Sequence, residues 1–273
     1  MEKYSVLMSL YEKENPEFLR ESLDSMLKQT ILPDEIVLVE DGPLTGELQD
    51  VVNEYRNNNS DLLNIVVNEQ NLGLGMSLNK GLKACKNELV ARMDTDDIAV
   101  SNRCEKQINF FASNPSVTIV GGQIAEFNTS PKEITGRRVV PENDRDIKCF
   151  MRKRCPFNHM TVMFKKSDIM RAGNYKDWYW NEDYYLWIRL ALKNYQFANL
   201  PDTLVYARTG EGMYQRRGGA AYFKSEAAIQ KLMLDEKIID FPTYMMNCGK
   251  RFIVEKILPN KMRGCFFRMF ART

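Results

Sequence analysis

Residues 33–43 read PDEIVLVEDGP, and this stretch decides the fold. Its centre, residues 36–39, is a continuous apolar run with β-branched side chains, which is typical of a parallel strand buried on both faces. Pro33 and Asp34 give a turn signal before the run, and Glu40 and Asp41 follow where the strand should end. The stretch therefore predicts a strand in the interior of a sheet, with carboxylates at its carboxyl end.

Further strands and helices alternate on both sides of this segment. Apolar runs predict strands at residues 4–9, 63–67 and 89–93, and helical spacing of apolar residues predicts helices that begin near residues 16, 46 and 74. Strands that alternate with helices join through right-handed crossovers, which gives a mostly parallel sheet with helices on both faces. The first hundred residues therefore predict an α/β fold.

The alternation loosens after residue 100. We expect elements there in the following order: a helix at 103–112, a strand at 117–127 broken at Gly121 and Gly122, a loop at 128–146, a strand at 161–164, a helix at 182–193, and short strands at 196–200 and 204–208. From Gly219 onward the pattern is helical. The economical organisation is one α/β domain at residues 1–215 with a helical C-terminal extension at 216–273 packed on it.

Composition excludes several classes of protein. The 273 residues carry 38 Lys or Arg against 36 Asp or Glu, so the net charge is only +2 and we expect no nucleic-acid partner. His159 is the single histidine, which excludes a multi-histidine metal site. The six cysteines form no CxxC pair and the N-terminus shows no export signal, so we expect reduced thiols and a cytoplasmic protein.

Three carboxylates lie directly after the predicted strand at 89–93, namely Asp94, Asp96 and Asp97. Ligands of open α/β sheets bind outside the carboxyl ends of the strands. Close like charges repel one another, and a hard cation such as Mg²⁺ or Mn²⁺ relieves that repulsion through all-oxygen ligands. Such a cation bridges protein carboxylates to phosphate oxygens, so a nucleoside diphosphate fits this site. The alternative is an acidic turn that caps the helix after Ser101.

Asp41 ends the neighbouring predicted strand, where its carboxylate could accept hydrogen bonds from a base or a ribose. The alternative for Asp41 is an Asx turn before Gly42 and Pro43. The chain has no GxGxxG after its first strand and no GxxxxGK[ST] motif. These absences argue against a Rossmann dinucleotide site and against a P-loop kinase.

Several segments together resemble glycosyltransferase family 2, whose fold is GT-A. They lie at residues 5–30, 33–43, 68–82 (NEQNLGLGMSLNKGL), 91–115 (beginning ARMDTDD), 173–190 (GNYKDWYWNEDYYLWIRL) and 210–219 (GEGMYQRRGG). The stretch GMYQRRGG carries a narrower resemblance to bacterial capsular and exopolysaccharide transferases of the amylovoran type. The resemblance implies a GT-A (Rossmann-like) sheet and an inverting, metal-dependent glycosyltransferase. It would move a hexose or N-acetylhexosamine from a nucleoside-diphosphate sugar, commonly UDP-linked, to an acceptor hydroxyl.

The resemblance also implies roles for individual residues. Asp183 matches the catalytic base with Glu182 beside it, and Asp41 matches an aspartate that binds the nucleotide base. Asp94 and Asp96 match the outer positions of a DxD motif that holds ribose and the metal-bound diphosphate, with Asp97 as a substitute. The further nucleotide-sugar contacts that we expect are Ser9, Glu12, Asn71, Arg92, Thr95, Arg216 and Arg217, the last two on a mobile segment over the diphosphate.

The expected cofactor is Mn²⁺ or Mg²⁺, with Asp94, Asp96 and His159 as its ligands. The alternative for His159 is a structural histidine, and the alternative for Glu182 and Asp183 is an N-terminal helix cap. The run Trp178–Trp180 contains too many adjacent aromatics for one buried face, so we expect Trp178 or Trp180 to stack on an acceptor sugar. Core packing is the alternative for the rest.

Residues 248–273 carry seven Lys or Arg against Glu255 alone, with aromatic residues interleaved. This pattern predicts an element on a membrane surface, on the inner face where a lipid-linked glycan acceptor would be found. The alternative is a helix that packs on the domain with its basic side in solvent. Two rival functions share the sheet and the nucleotide: a sugar nucleotidyltransferase and a non-catalytic nucleotide-sugar-binding relative.

Overall fold

The computed structural model describes residues 2–210 and 219–254. The first half alternates strands and helices as the sequence predicts, in the order β1 (Tyr4–Leu10), α1 (Pro16–Leu27), β2 (Glu35–Asp41), α2 (Gly46–Asn58), β3 (Leu63–Asn68), α3 (Leu74–Ala84) and β4 (Leu89–Arg92). The domain boundary that the sequence predicts between 215 and 216, the residues Arg216 and Arg217, and the basic tail after residue 254 lie outside the described residues.

The second half is richer in short elements. In chain order they are β5 (Ile98–Ala99), α4 (Arg103–Ser113), β6 (Val117–Phe127), β7 (Ile134–Arg138), α5 (Asp144–Met151), a 3-10 turn (His159–Thr161), β8 (Met163–Lys165), α6 (Lys166–Arg171), α7 (Glu182–Leu192), β9 (Gln196–Arg208), α8 (Ala220–Asp235) and α9 (Phe241–Phe252). Within the described residues, no helix has both the length and the apolar character needed to span a bilayer.

Three sequence predictions in this half are wrong. The expected loop at 128–146 contains β7 and the start of α5, and the expected strands at 196–200 and 204–208 are one strand, β9. The expected break does not divide β6, which runs through Gly121 and Gly122, and only its register against β9 shifts just after Gly122. Gly121 and Gly122 are sites of close approach rather than turns. A Cβ on Gly121 would lie 2.3 Å from Asn199 Oδ1, and one on Gly122 would lie 2.5 Å from Leu204 Cδ1.

One sheet contains these strands in the order β3-β2-β1-β4-β8-β6-β9-β5, with β7 paired to β6. Pairing is parallel from β3 through β4, as the sequence predicts. It becomes antiparallel at β8, so the second half of the sheet is mixed. Because β2, β1 and β4 are adjacent and parallel, their carboxyl ends meet at one edge, where Asp41, Ser9 and Asp94 lie.

An apolar core lies on each face of the sheet, which confirms that helices cover both faces. Alternate side chains of one strand serve opposite cores, so Val6 joins one core and Leu7 the other. The first core packs against α1, α2 and α4, and the second against α3, α5, α6, α7 and α8. The two cores fix the strand ends and hence the site at their edge.

The contact between α3 and the sheet gives a stability prediction. A Cβ on Gly81 would lie 2.5 Å from Leu7 Cδ1 and 2.6 Å from Val39 Cγ2, so Gly81→Ala should overpack this contact. We expect the free energy of unfolding in urea to fall by about 1–2 kcal/mol, because overpacking outweighs the helix propensity gained. Gly46→Ala is the control, since nothing lies within 4 Å of a Cβ there. Equal stability of the two variants would contradict this account of the packing.

Candidate active site

An acidic cluster, consisting of Asp94, Asp96 and Asp97, fills the loop between β4 and β5. One carboxylate oxygen from each residue lies within 4.8 Å of the others. The cluster precedes β5, and Asn102 occupies the N-cap position of α4. The alternative reading, an acidic turn that caps the next helix, is therefore wrong.

The electrostatics of the acidic cluster show crowded negative charge. Burial, followed by the charges of Asp94 and Glu14, raises the pKa of Asp96 to about 7. Burial and the neighbouring Asp96 charge also raise the pKa of Asp97 well above its ordinary value. Asp97 Oδ1 accepts a hydrogen bond from Arg208 N at 2.8 Å, but buried Oδ2 has no partner among the described residues. These hard oxygen ligands fit a divalent cation such as Mg²⁺ or Mn²⁺.

Neighbouring elements fix the backbone of the acidic cluster. Ser22 Oγ of α1 donates to Asp94 O at 2.6 Å, and Arg208 Nε of β9 donates to Asp96 O at 3.1 Å. Thr95 Oγ1 donates to Glu14 Oε2 at 2.9 Å and lies 3.4 Å from Ser9 O. Ser9 and Thr95, which the sequence assigns to the donor site, are therefore brought together with the cluster.

Arg92 lies beside the acidic cluster and is only 2% exposed. Its Nη2 forms an ion pair with Asp94 Oδ1, while Nε and Nη1 have no partner among the described residues. A buried guanidinium with free donors is costly, so these two N–H groups are suited to an anionic ligand. The sequence prediction that Arg92 contacts the donor stays a prediction, but the geometry fits it.

Glu182 and Asp183 form the first turn of α7. Asp183 Oδ1 accepts from Tyr184 N at 2.6 Å, and Oδ2 accepts from Cys155 Sγ at 3.4 Å. Burial raises the pKa of Asp183, while burial followed by the Asp183 charge raises the pKa of Glu182 to about 7. Asn181 occupies the N-cap position, so the acidic pair is not the cap itself.

The acidic cluster and the acidic pair lie in one region of the structure, close enough for their charges to interact. Arg92 and Asp94 both act on the pKa of Glu182, and Arg92 also acts on the pKa of Asp183. Tyr175 is fully buried, and charges of both groups act on its hydroxyl, namely those of Arg92, Asp183, Glu182 and Asp94. The structure thus brings together carboxylates that are almost ninety residues apart in sequence.

His159 lies in the 3-10 turn next to this region. Its Nε2 lies 2.9 Å from Tyr175 Oη. Burial, followed by the positive charge of Arg92, holds the pKa of His159 well below its usual value, so the imidazole is neutral at neutral pH. A neutral imidazole can bind a metal, but Tyr175 already engages one of its ring nitrogens. The role of His159 as a metal ligand stays a prediction.

Asp41 anchors the loop after β3. Its carboxylate accepts from Leu72 N at 2.7 Å, from Gly73 N at 3.0 Å and from Asn68 Nδ2 at 3.1 Å. The bonds to Leu72 and Gly73 cross to another loop, unlike those of the Asx turn that was the alternative for Asp41. Asn71 lies in that loop with its side chain exposed, and Glu12 is exposed after β1. Asp41 therefore fixes the conformation of this loop, and its contact with a nucleotide base stays a prediction.

The aromatic run before α7 is divided between packing and exposure. Trp178 packs on Tyr185 with ring centroids 4.4 Å apart, and its Nε1 donates to Ser225 O at 3.4 Å. Trp180 is 47% exposed and adopts a φ of +60°, a strained conformation for a bulky residue. Of the two tryptophans, Trp180 is therefore the more exposed; its ring centroid lies 6.0 Å from that of Tyr179, two residues before the acidic pair.

Sequence reasoning missed Tyr175, Cys155 and Arg208. Tyr175 stands within the segment 173–190 that the sequence singles out, so its proximity to Asp183 offered a signal. Cys155 reads as an ordinary apolar thiol, and Arg208 lies 111 residues from its partner Asp97. Only the fold reveals these two contacts.

Comparisons with known proteins agree with this geometry. A sequence profile of the family described as "Glycosyl transferase family 2" matches residues 5–177, which include Asp41 and the acidic cluster but not Asp183. The amylovoran biosynthesis glycosyltransferase AmsE of Erwinia amylovora is 44% identical over 240 residues, which cover 87% of this chain and 88% of that protein. The UDP-Gal:alpha-D-GlcNAc-diphosphoundecaprenol beta-1,3-galactosyltransferase of Escherichia coli is 36% identical over 272 residues, which cover 99% and 97%.

Solved structures share the fold. The crystal structure of S. aureus TarS 1–349 in complex with UDP-GlcNAc superposes with a TM-score of 0.66 at 20% identity, covering 98% of this chain and 76% of that chain. This likeness confirms the GT-A α/β fold. The relative from Erwinia confirms the resemblance to amylovoran-type enzymes. On its profile match and its curated relatives, the chain belongs to glycosyltransferase family 2.

Proposed function

We propose that this chain is an inverting glycosyltransferase that moves a sugar from a UDP-sugar to the hydroxyl of a lipid-linked glycan. The observation that carries the proposal is the proximity of the acidic cluster to the acidic pair, since the charges of Arg92 and Asp94 act on Glu182 and those of both groups act on Tyr175. One group of carboxylates suits the cation and diphosphate of a donor. The other suits proton removal from an acceptor.

The donor half of the site uses the acidic cluster and Arg92. Asp94 and Asp96, with Asp97 as an alternative ligand, would hold Mn²⁺ or Mg²⁺, which offsets the charge of the departing diphosphate when bound. The free Nε and Nη1 of Arg92 supply donors for phosphate oxygens. Arg216 and Arg217 are proposed to cover the diphosphate from the segment at 211–218. Asp41, Asn71, Ser9, Thr95 and Glu12 complete the proposed donor contacts.

The acceptor half uses Asp183 as the general base. In one displacement, the acceptor oxygen forms a bond to the anomeric carbon, the bond from that carbon to the diphosphate oxygen breaks, and Asp183 takes the hydroxyl proton. The products are the glycoside with inverted configuration and UDP. No second carboxylic acid is needed to protonate the leaving group, unlike in a glycoside hydrolase. Tyr184 N and the Cys155 thiol hold the Asp183 carboxylate in place.

The names of curated relatives support the substrate class. The relative from Escherichia coli is named for UDP-galactose and for an N-acetylglucosamine acceptor on diphosphoundecaprenol. We therefore propose UDP-galactose as the first donor to test and a polyprenyl-diphosphate-linked sugar as the acceptor, in surface polysaccharide synthesis at the cytoplasmic face of a membrane. We propose that Trp180 stacks on the acceptor sugar, because its ring is exposed next to the acidic pair.

A panel of nucleotide sugars tests the reaction itself. We expect slow release of UDP with UDP-hexoses and, with a diphosphate-lipid acceptor, a β-linked product from an α-linked donor, as judged by NMR of the anomeric proton. The single displacement requires this inversion. Release of pyrophosphate would instead identify a nucleotidyltransferase, and retained configuration would contradict the displacement.

Paired variants test which carboxylate is the base. Asp183→Asn should lower kcat/KM by about 10²–10⁴-fold while the donor Kd stays unchanged, because the amide cannot accept the proton. Glu182→Gln should retain turnover. The exposed Asp177→Asn is the control and should behave as wild type. Full activity in Asp183→Asn would refute the assignment of the base.

The pH dependence separates the same two residues. Burial raises the pKa of Asp183, so kcat/KM should fall on the acid side of the pH profile, as this carboxylate gains a proton at a higher pH than a free aspartate would. Glu182→Gln removes one negative charge beside Asp183, so the pKa of Asp183 should fall and the acid limb should move to lower pH. An unmoved limb would show that another group controls it.

Metal removal tests the donor half. EDTA should abolish transfer, and added Mn²⁺ or Mg²⁺ should restore it. Asp96→Asn should raise the Mn²⁺ concentration needed for half-maximal rate by about tenfold or more, because a ligand is lost. Exposed Asp50→Asn on α2 is the control. An undiminished rate in EDTA would remove the cation from the proposal.

A further inference from the structure

Helix α9 is turned the opposite way from an ordinary surface helix. Asn247 is its one buried residue, and Nδ2 of Asn247 donates to Gln230 Oε1 at 2.8 Å and to Arg152 O at 2.9 Å. Arg251 Nε pairs with Glu226 Oε2 at 2.5 Å, and Arg251 Nη2 donates to Lys153 O at 2.8 Å. The side of α9 that faces the protein is therefore held by these polar contacts together with Tyr244, which packs against the second core.

The outward side of α9 is apolar. Phe241 is 61% exposed, Met245 53%, Met246 45%, and Ile253 just after the helix 52%. The spacing of four, five and twelve residues from Phe241 places these side chains on one broad side of the helix. Single exposed apolar residues are common on proteins, but a surface helix normally turns such a stripe toward the core. A contiguous apolar side that faces outward indicates an interaction site.

We propose that this outward side, defined by Phe241, Met245, Met246 and Ile253, inserts into the surface of an anionic lipid bilayer. Charge complementarity selects lipid as the occupant. Lys250 on α9 is exposed, and the nineteen residues that follow the described part contain five Lys or Arg against Glu255 alone. An apolar helix side flanked by basic residues is the pattern of interfacial membrane binding.

The contacts of α8 connect this surface to the acceptor side of the site. Glu226 of α8 holds Arg251 of α9. One residue earlier, Ser225 accepts from Trp178 Nε1 and from Asn181 Nδ2 at 3.1 Å, and donates to Tyr179 O. The aromatic run and the helix that carries Asp183 are thus one helix away from α9. Lipid binding by α9 would bring a lipid-linked acceptor toward Asp183, and this consequence rests on the proposed function.

Vesicle binding by the full-length chain tests the surface without any substrate. Wild type should cosediment with phosphatidylglycerol-containing vesicles, bind pure phosphatidylcholine vesicles more weakly, and lose affinity as salt is raised. The double variant Phe241→Ser with Met245→Ser should bind the anionic vesicles about tenfold or more weakly, because two inserted apolar side chains are lost. Both side chains are exposed, so the fold should be retained, which a urea unfolding curve verifies.

Leu32→Ser is the matched control, because Leu32 is equally exposed but lies before β2. It should bind vesicles as wild type does. Equal vesicle binding by the double variant and wild type would overturn the proposal, as would failure of wild type to bind anionic vesicles. If the double variant changed only the oligomeric state, as measured by sedimentation, the surface would be assigned to a second copy and the proposal would also be overturned.

UDP release with a water-soluble acceptor should be unchanged in the double variant, so a failure of lipid binding is distinct from a failure of the proposed reaction.

Discussion

The buried charge of Arg92 organises both halves of the site. A lone guanidinium in a protein interior costs several kcal/mol, and Asp94 offsets only part of that cost, since two N–H groups remain without partners among the described residues. The same charge acts on the acidic cluster, on His159 and on the acidic pair. One arginine cannot neutralise five nearby carboxyls, and burial, together with the charges of neighbouring carboxylates, raises the pKa values of Asp96 and Glu182. The N–H groups of Arg92 that lack partners suit an anion, and the excess carboxylates suit a cation. The site is therefore suited to a ligand that brings a cation and an anion together.

Much of the fold could be predicted because burial leaves a pattern in the sequence. The run in β2 is apolar at successive positions since both of its faces are covered, and α1 shows helical spacing since one of its faces is covered. β7 left no such pattern, because every one of its side chains is exposed or half-buried and its pairing with β6 is supplied by the backbone. The continuity of β6 could not be predicted, because glycines usually interrupt a strand. Here Gly121 and Gly122 instead allow the side chains of Asn199 and Leu204 to approach the backbone closely.

The site was predictable where its chemistry is local. Carboxylates that follow a buried strand point to a ligand-binding edge, and this rule located Asp94 and Asp41 before any contact was known. The rule says nothing about what a side chain meets across the fold. It therefore could not show that the Asp41 carboxylate would accept hydrogen bonds from residues 68–73. Nor could it show that the Cys155 thiol would donate a hydrogen bond to Asp183. Those facts depend on packing between distant segments.

The bond between Arg208 and Asp97 also bears on the order in which the molecule assembles. Among the strands that the structure describes, β5 pairs only with β9, and β9 supplies both bonds from Arg208 to the acidic loop. Closing a loop of more than a hundred residues is entropically expensive and slow, so these contacts should form late in folding. The parallel half of the sheet can form from the first ninety-two residues, and Ser22 and Glu14 can then hold Asp94 and Thr95, yet Asp96 and Asp97 lack their bonds to Arg208 until the ninth strand docks. A chain interrupted before residue 196 would therefore keep the acidic motif while lacking the strand that shapes it.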